Sequence, residues 1–320
     1  MTNEITYETY RSCTLCPRMC RVDREKRTGY CGCGDQLYAA RASLHYWEEP
    51  CISGSPENTS SGAAPGGSGT VFFSGCTLRC IFCQNHTISH ENFGQAISAR
   101  QLSRIFLQLQ EQGAYNINLV TPTQYLPHII EALDLARPSL TIPVVYNCGG
   151  YERVETVRAL ADLVDIWLPD FKYYDSDLAR RCCGAPDYFP AASAAIAQMI
   201  RQTGSLVWED VPGLSSPLLK KGVIIRHMVL PSHRQDSIRI LQWISDNLPK
   251  DRFLISLLSQ YTPLFHSKEH PDLNRRITSF EYNRVVEEAL KLGLNQGFMQ
   301  EKSSARQEYT PPFNLEGLNP

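Results

Sequence analysis

No run of about 18 apolar residues occurs in this 320-residue sequence, so it holds no conventional membrane-spanning helix. Its opening residues, MTNEITYETYRSC, lack the apolar stretch of a signal peptide. The expected location is therefore cytoplasmic, with no membrane partner. An excess of one charge is also missing. Lys and Arg number 31 against 33 Asp and Glu, a net charge of −2. Broad, sequence-independent nucleic-acid binding draws on many Lys/Arg–phosphate contacts. The balance argues against it, although a local basic patch remains compatible. No internal repeat is evident. The composition, 42% hydrophobic and 20% charged, is that of a globular chain with a large buried core. The length suits one large α/β barrel or two ordinary domains.

Cysteine, by contrast, is plentiful, with 12 in the chain. In a short secreted protein this would read as a disulfide framework. In a chain of this length without an export signal it reads as metal binding or thiol chemistry. Cys13, Cys16, Cys20, Cys31 and Cys33 form one group and Cys76, Cys80 and Cys83 another, while Cys51, Cys148, Cys182 and Cys183 are scattered.

Residues 1–51 are cysteine-rich and turn-rich, and read as a small metal-binding module. Residues 52–69, mostly SGSPENTSSGAAPGGSG, read as a flexible surface loop. From residue 70 to about 300 strands and helices alternate, and 301–320 form a tail. Expected strands are Val71–Ser74, Asn116–Val120, Val144–Asn147, Asp165–Phe171, Val223–Leu230 and Phe253–Leu258. Expected helices run from an N-cap at Ser98 to about Gln112, then Pro127–Ala136, Val154–Leu163, Ala191–Gln202, Asp236–Asn247 and Ser279–Leu292. Six β-then-α units imply a parallel sheet with right-handed crossovers. An open sheet and a six-unit partial barrel fit equally well. Both bind ligands at the carboxyl ends of their strands.

Directly after the first of these strands comes Ser74-Gly75-Cys76-Thr77-Leu78-Arg79-Cys80-Ile81-Phe82-Cys83-Gln84-Asn85, with spacing C-x3-C-x2-C. Three thiolates on a short loop can hold three irons of a cubane, whereas a complete 4Fe–4S site needs four ligands. No fourth cysteine is near. An open metal position is where a substrate or cofactor binds. A three-cysteine zinc site and idle thiols are the plainer alternatives.

The loop resembles the signature of radical S-adenosylmethionine (radical SAM) enzymes, in which an aromatic residue precedes the third cysteine, as Phe82 does here. The likeness spans roughly residues 70–300 and is strongest to activating enzymes of the pyruvate formate-lyase type, in a branch that also carries an N-terminal cysteine motif. The resemblance implies an α/β partial (β/α)6 barrel with a small cysteine-rich N-terminal module. It implies a 4Fe–4S cluster on Cys76, Cys80 and Cys83 whose open iron chelates S-adenosylmethionine. One electron then cleaves the sulfonium to a 5′-deoxyadenosyl radical, which abstracts a hydrogen atom. The implied partners are a reductant such as flavodoxin or ferredoxin and a hydrogen donor: a glycyl-radical protein, a peptide or a small molecule. The competing class is an iron–sulfur electron-transfer or metal-binding protein without radical chemistry.

Polar groups at the ends of core strands are costly unless paired, which makes them site candidates. The family's Gly-Gly-Glu after the second strand is replaced by Val120-Thr121-Pro122-Thr123-Gln124, so Thr121 or Thr123 oxygens, or a strand-end carbonyl, are candidate substitutes. Tyr146-Asn147-Cys148-Gly149-Gly150 puts Asn147 where the family has an acidic residue, and Cys148 reads as a small packed residue. Asp170 and Lys172 are two apart on a strand and share a face. They resemble the family's Asp-Leu-Lys. Arg226 matches a position that binds the cofactor carboxylate, a role suited to a guanidinium. His227, on the opposite face, reads as structural. Gln260 and Tyr261, at the end of the sixth strand, are further candidates.

Cys13, Cys16, Cys20 and Cys31 give C-x2-C-x3-C-x10-C. Four such thiolates suit a zinc ion or a second iron–sulfur cluster, with Cys33 a competing ligand. His45 and Glu48 read either as substrate-facing or as part of an interdomain surface.

Overall fold

A computed structural model describes residues 5–54, 66–300 and 311–319. In chain order the first elements are β1 (Tyr38–His45), α1 (Pro50–Ser53), β2 (Ser68–Phe73), α2 (His86–Ser89), β3 (Gln95–Ala96), α3 (Ala99–Glu111) and β4 (Asn116–Val120). Then come α4 (Leu126–Ala136), β5 (Val144–Cys148), α5 (Val154–Ala159), β6 (Ile166–Pro169), α6 (Ser176–Cys183), α7 (Tyr188–Thr203) and β7 (Val207–Glu209). The last are β8 (Leu218–Met228), α8 (Arg234–Asn247), β9 (Leu254–Leu258), α9 (Ser279–Lys291) and β10 (Gly297–Met299).

The sheet runs β10-β9-β8-β6-β5-β4-β2-β1-β3, with β7 paired to β8. Strands β2, β4, β5, β6, β8, β9 and β10 are mutually parallel. β1 and β3 are antiparallel additions at one edge. The fold is thus α/β with an open, mostly parallel sheet, compatible with a partial barrel. Every residue of β2, β4, β5 and β6 is buried, as expected of parallel strands covered on both faces.

The six expected strands all form, β4 with the expected bounds and the other five with shifted ends. β8 starts at Leu218 because its first residues pair with β7 as a hairpin. α5 ends at Ala159 because Ala161 N–H bonds Arg158 O, a three-residue turn, instead of continuing the helix. α3 matches its signal closely. Leu102, Ile105, Phe106 and Leu109 are all buried, and Ser98 and Gln101 form a reciprocal capping box. Within the residues read as an N-terminal module, β1 is a strand of the main sheet. Of the residues read as a loop, Ile52 and Ser53 belong to α1 and Ser68 and Gly69 to β2. Positions 55–65 of that loop and 301–310 of the tail lie outside the described residues. Among the described residues no helix is long and apolar enough to cross a membrane.

Candidate active site

The loop that leaves β2 turns at Gly75, whose φ is +79°. A Cβ there would lie 2.1 Å from Cys33 Sγ, so a side chain cannot replace the hydrogen. The loop is held on both sides. Gly75 N–H donates to Ile88 O at 2.7 Å, Cys76 N–H to Cys31 O at 3.3 Å and Ile81 N–H to Cys182 O at 2.9 Å. The three thiols are free. Each accepts a hydrogen bond: Cys76 from Leu78 N–H at 3.4 Å, Cys80 from Tyr173 OH at 3.7 Å and Cys83 from Ser89 OH at 3.2 Å. Such donors orient thiolates and tune the metal they hold.

All three thiols line one cavity of about 250 Å³ at the carboxyl ends of the parallel strands. Phe82, Thr121, Asn147, Asp170, Lys172 and Arg226 line the same cavity, whereas Thr123, the other candidate after the second strand, does not. Glu48 and His45 line it too, and Gln260 and Tyr261 close its far side. Phe82 is buried edge-on against Tyr261, at 5.5 Å between centroids.

Four charges form one network here. Arg226 Nε donates to Asp170 Oδ1 at 2.9 Å, its Nη1 to Glu48 Oε2 at 3.2 Å and its Nη2 to Asn147 Oδ1 at 2.6 Å. Lys172 Nζ donates to the other Asp170 oxygen at 2.6 Å. Asn118 and Asn147 amides both donate to Glu48 Oε1, at 3.1 and 3.2 Å. The two cations and two carboxylates sum to no net formal charge, so burial of the set is tolerable. Burial acts to raise the Asp170 pKa, yet Arg226 and Lys172 together hold it below the usual carboxylate range. Glu48 goes the other way: burial lifts its pKa in spite of Arg226.

Glu48 arrives from outside the six β/α units. It sits on the link between β1 and α1: β1 ends at His45 opposite Ser68, the amino end of β2, and the link then brings Glu48 to Asn118, Asn147 and Arg226. It thereby supplies a carboxylate to a cavity whose second strand lacks the family's glutamate. Thr121 takes a left-handed backbone with φ +57°, unusual for a β-branched residue. Thr123 is turned away: its hydroxyl donates to Glu152 at 2.7 Å and accepts from Tyr146 at 3.0 Å. Cys148 is buried, though it contributes to the cavity wall. His227 is buried with Nδ1 2.6 Å from Phe171 O, outside the cavity, and its Nε2 has no partner among the described residues. His45 stacks edge-on against Phe72, and burial pushes its pKa down to about 4, so it is neutral at pH 7.

A second cavity of about 510 Å³ shares Glu48, Arg226, Leu258 and Gln260 with the first. Its wall includes Glu49, whose pKa burial raises to about 7 and whose Oε2 has no partner among the described residues. Sequence reasoning did not single out Glu49. Its only signal is adjacency to Glu48.

The N-terminal cysteines lie on the other side of the loop that carries Cys76, Cys80 and Cys83. Cys13, Cys16, Cys20 and Cys31 line a common small cavity with Arg18, Arg24 and Thr77. Cys33 is not among them. Its thiol points to Cys31 O and Ser74 O, at 3.5 and 3.6 Å.

A family model described as the radical SAM superfamily matches residues 70–208. The uncharacterized protein MJ0674 of Methanocaldococcus jannaschii is 30% identical over 302 residues, covering 91% of this chain and 78% of that protein. Among solved structures, Streptococcus suis SuiB bound to the precursor peptide SuiA is 17% identical, with a TM-score of 0.46, over 71% of this chain and 46% of SuiB. The methylornithine synthase PylB is 12% identical, with a TM-score of 0.45, over 70% of this chain and 68% of that one. The chain thus spans under half the length of SuiB.

Proposed function

The chain belongs to the radical SAM superfamily, and from that premise we propose that it cleaves S-adenosylmethionine reductively at Cys76, Cys80 and Cys83 and takes a hydrogen atom from a protein or peptide, as enzymes that activate pyruvate formate-lyase do. One observation carries the reading: three free thiols and a charge-balanced network face a single cavity at the strand ends. The donor set fits the groups the family uses. Three soft thiols leave the fourth corner of a cubane open. When bound, cluster and cofactor together supply one electron, a broken carbon–sulfur bond and a carbon-centred hydrogen acceptor.

The chain's own residues bind and orient. An amino-acid head group is a zwitterion, and the network around Arg226 contains the matching pair of signs. Lys172 and Arg226 suit its carboxylate, while Glu48 and Asp170 suit its amine. Exchange of internal partners for a zwitterion leaves the net charge of the cavity unchanged, which keeps the desolvation cost low. Asn147 holds Arg226 and Glu48 at once. Thr121 lines the cavity, and Phe82 with Tyr261 forms an apolar wall that excludes water. The larger adjoining cavity, with Glu49 in its wall, has room for an extended substrate. A reductant such as flavodoxin or ferredoxin supplies the electron. The four N-terminal thiols hold a second metal in the same reading.

The test is spectroscopic. The protein is reconstituted anaerobically, reduced, and its paramagnetic spectrum recorded before and after addition of S-adenosylmethionine. The expected result is a cofactor-dependent change of the signal from the central triplet. An unchanged spectrum with the triplet fully loaded would remove the open-iron assignment.

A further inference from the structure

Glu49 is a buried carboxylate without a cation of its own. It is 7% exposed, and among the described residues it forms no ion pair and its Oε2 has no hydrogen-bond partner. A carboxylate left in that state is costly. The backbone nevertheless fixes it in place. Glu49 O accepts the N–H groups of Ile52 and Ser53, at 2.8 and 3.1 Å, where α1 begins. Asn116 Nδ2, from β4, donates to Ile52 O at 2.8 Å and ties that turn to the sheet. The Glu49 side chain lines the cavity of about 510 Å³, not the one that holds the three thiols.

The charges around this second cavity do not balance. Among the described residues the charged groups on its wall are Glu48, Glu49 and Arg226. The three guanidinium nitrogens of Arg226 already meet Asp170, Glu48 and Asn147, and Lys172 meets Asp170. Two cations thus answer Glu48 and Asp170, and Glu49 is a third carboxylate. Arg226 attracts it through space, yet burial dominates and raises its pKa to about 7. A cation beside Glu49 favours its ionised form and brings the whole set into balance. The zwitterionic head group of S-adenosylmethionine leaves the count unchanged. Its sulfonium is read beside the thiols of the first cavity, whose wall does not include Glu49.

The rest of the wall suits a cation on an apolar stem. Trp47, 48% exposed, lines the cavity with Phe298 and Met299. Lysine and arginine pack their methylenes on apolar surface, and aromatic faces attract their charged heads. An acidic side chain would instead meet two carboxylates and a guanidinium that is already engaged. Gln260 lines both cavities, so a segment anchored at Glu49 lies next to the thiol-lined site.

We propose that the second cavity takes a lysine or arginine side chain of the peptide segment that donates the hydrogen atom, with Glu49 as its counter-charge. Glu49 is then a specificity residue that selects basic segments and takes no part in bond cleavage. The proposal rests on the reading of the first cavity as the site of S-adenosylmethionine cleavage.

The test uses Nα-acetyl-lysine N-methylamide and its arginine, methionine and glutamate counterparts as probes. Their affinities are measured by calorimetry on anaerobically reconstituted protein in the presence of S-adenosylmethionine, without reductant. The lysine and arginine probes should bind roughly tenfold or more tighter than the methionine probe, the scale of one charged hydrogen bond, and the glutamate probe should bind most weakly. Equal affinity for the lysine and methionine probes, or no saturable binding of either basic probe, overturns the proposal. Glu49→Gln keeps the shape of the side chain and removes its charge. In that variant the lysine probe should fall to the affinity of the methionine probe, and a surviving preference for lysine takes Glu49 out of the role. The comparison of probes on the parent protein decides the proposal even where the variant does not fold. The underlying reading is scored separately, as 5′-deoxyadenosine formed by the reduced parent. Preference for basic probes without that product removes the cleavage reading and leaves a cation site, whereas product without the preference removes the cation site.

Discussion

Arg226 makes hydrogen bonds to three side chains from one planar group, to Asp170, Glu48 and Asn147. Lysine cannot copy that fork. Arg226→Lys should therefore weaken S-adenosylmethionine binding by about 1.5–3 kcal/mol, the scale of a charged hydrogen bond, as read by calorimetry on reconstituted protein. Affinity equal to that of the parent would take Arg226 out of the site. Glu152 offers a pH test away from the cavity. It is buried, and burial lifts its pKa to about 8, with one oxygen lacking a partner among the described residues. The native chain thus keeps a proton that the unfolded chain releases from about pH 4.5 upward. Stability from this group falls as pH rises from about 4.5 to 8, and then levels. Glu152→Gln should gain on the parent across that window, by on the order of a few kcal/mol at its upper end. Parallel stability curves for the two proteins would refute the assignment.

At the level of elements, local signals were read well and long-range ones poorly. Ser98 announces the start of α3 and caps it as expected, and Gln101 completes a capping box. Ser98→Ala should cost roughly 0.5–2 kcal/mol in chemical denaturation, and an unchanged midpoint would show that the cap contributes nothing. The fully buried strands were legible because burial on both faces leaves a largely apolar run. β1 was not legible, because YAARASLH has three alanines and little β-propensity. Its strand exists through pairing with β2, and with it comes the placement of Glu48, which sequence alone left open between site and surface. β10 is three residues long and depends on Gly297, where a Cβ would meet Ile255 O at 1.9 Å. α6 had usable signals, an Asp175 N-cap and Gly184 at the C′ position with φ +62°, that went unread between the surrounding turns. The central triplet was the most legible feature, since its chemistry is written in spacing. The buried network was legible one strand end at a time, and its closure into a single set was not.

For the whole molecule, the two thiol sets occupy opposite sides of the loop between β2 and α2. The N-terminal residues also dock on the β/α core. Thr156 OH donates to Leu15 O at 2.9 Å, Arg153 to Thr14 O at 2.7 Å, and Arg18 to the carbonyls that end α6. On the proposed reading, a metal at the four thiols should stabilise this docking. Removal of metal with a chelator is then expected to speed hydrogen exchange most in residues 13–33 and 74–90, with β4 to β6 least affected. Uniform acceleration across the chain would contradict a local role for the metal. The central claim, that Cys76, Cys80 and Cys83 form a site for reductive cleavage, has one direct measurement. Fully loaded, reduced protein is incubated with S-adenosylmethionine under strict anaerobiosis, and 5′-deoxyadenosine and methionine are quantified. The account predicts both products in equal amounts, and neither from the Cys80→Ala protein. Absence of 5′-deoxyadenosine from the loaded, reduced parent protein would contradict it.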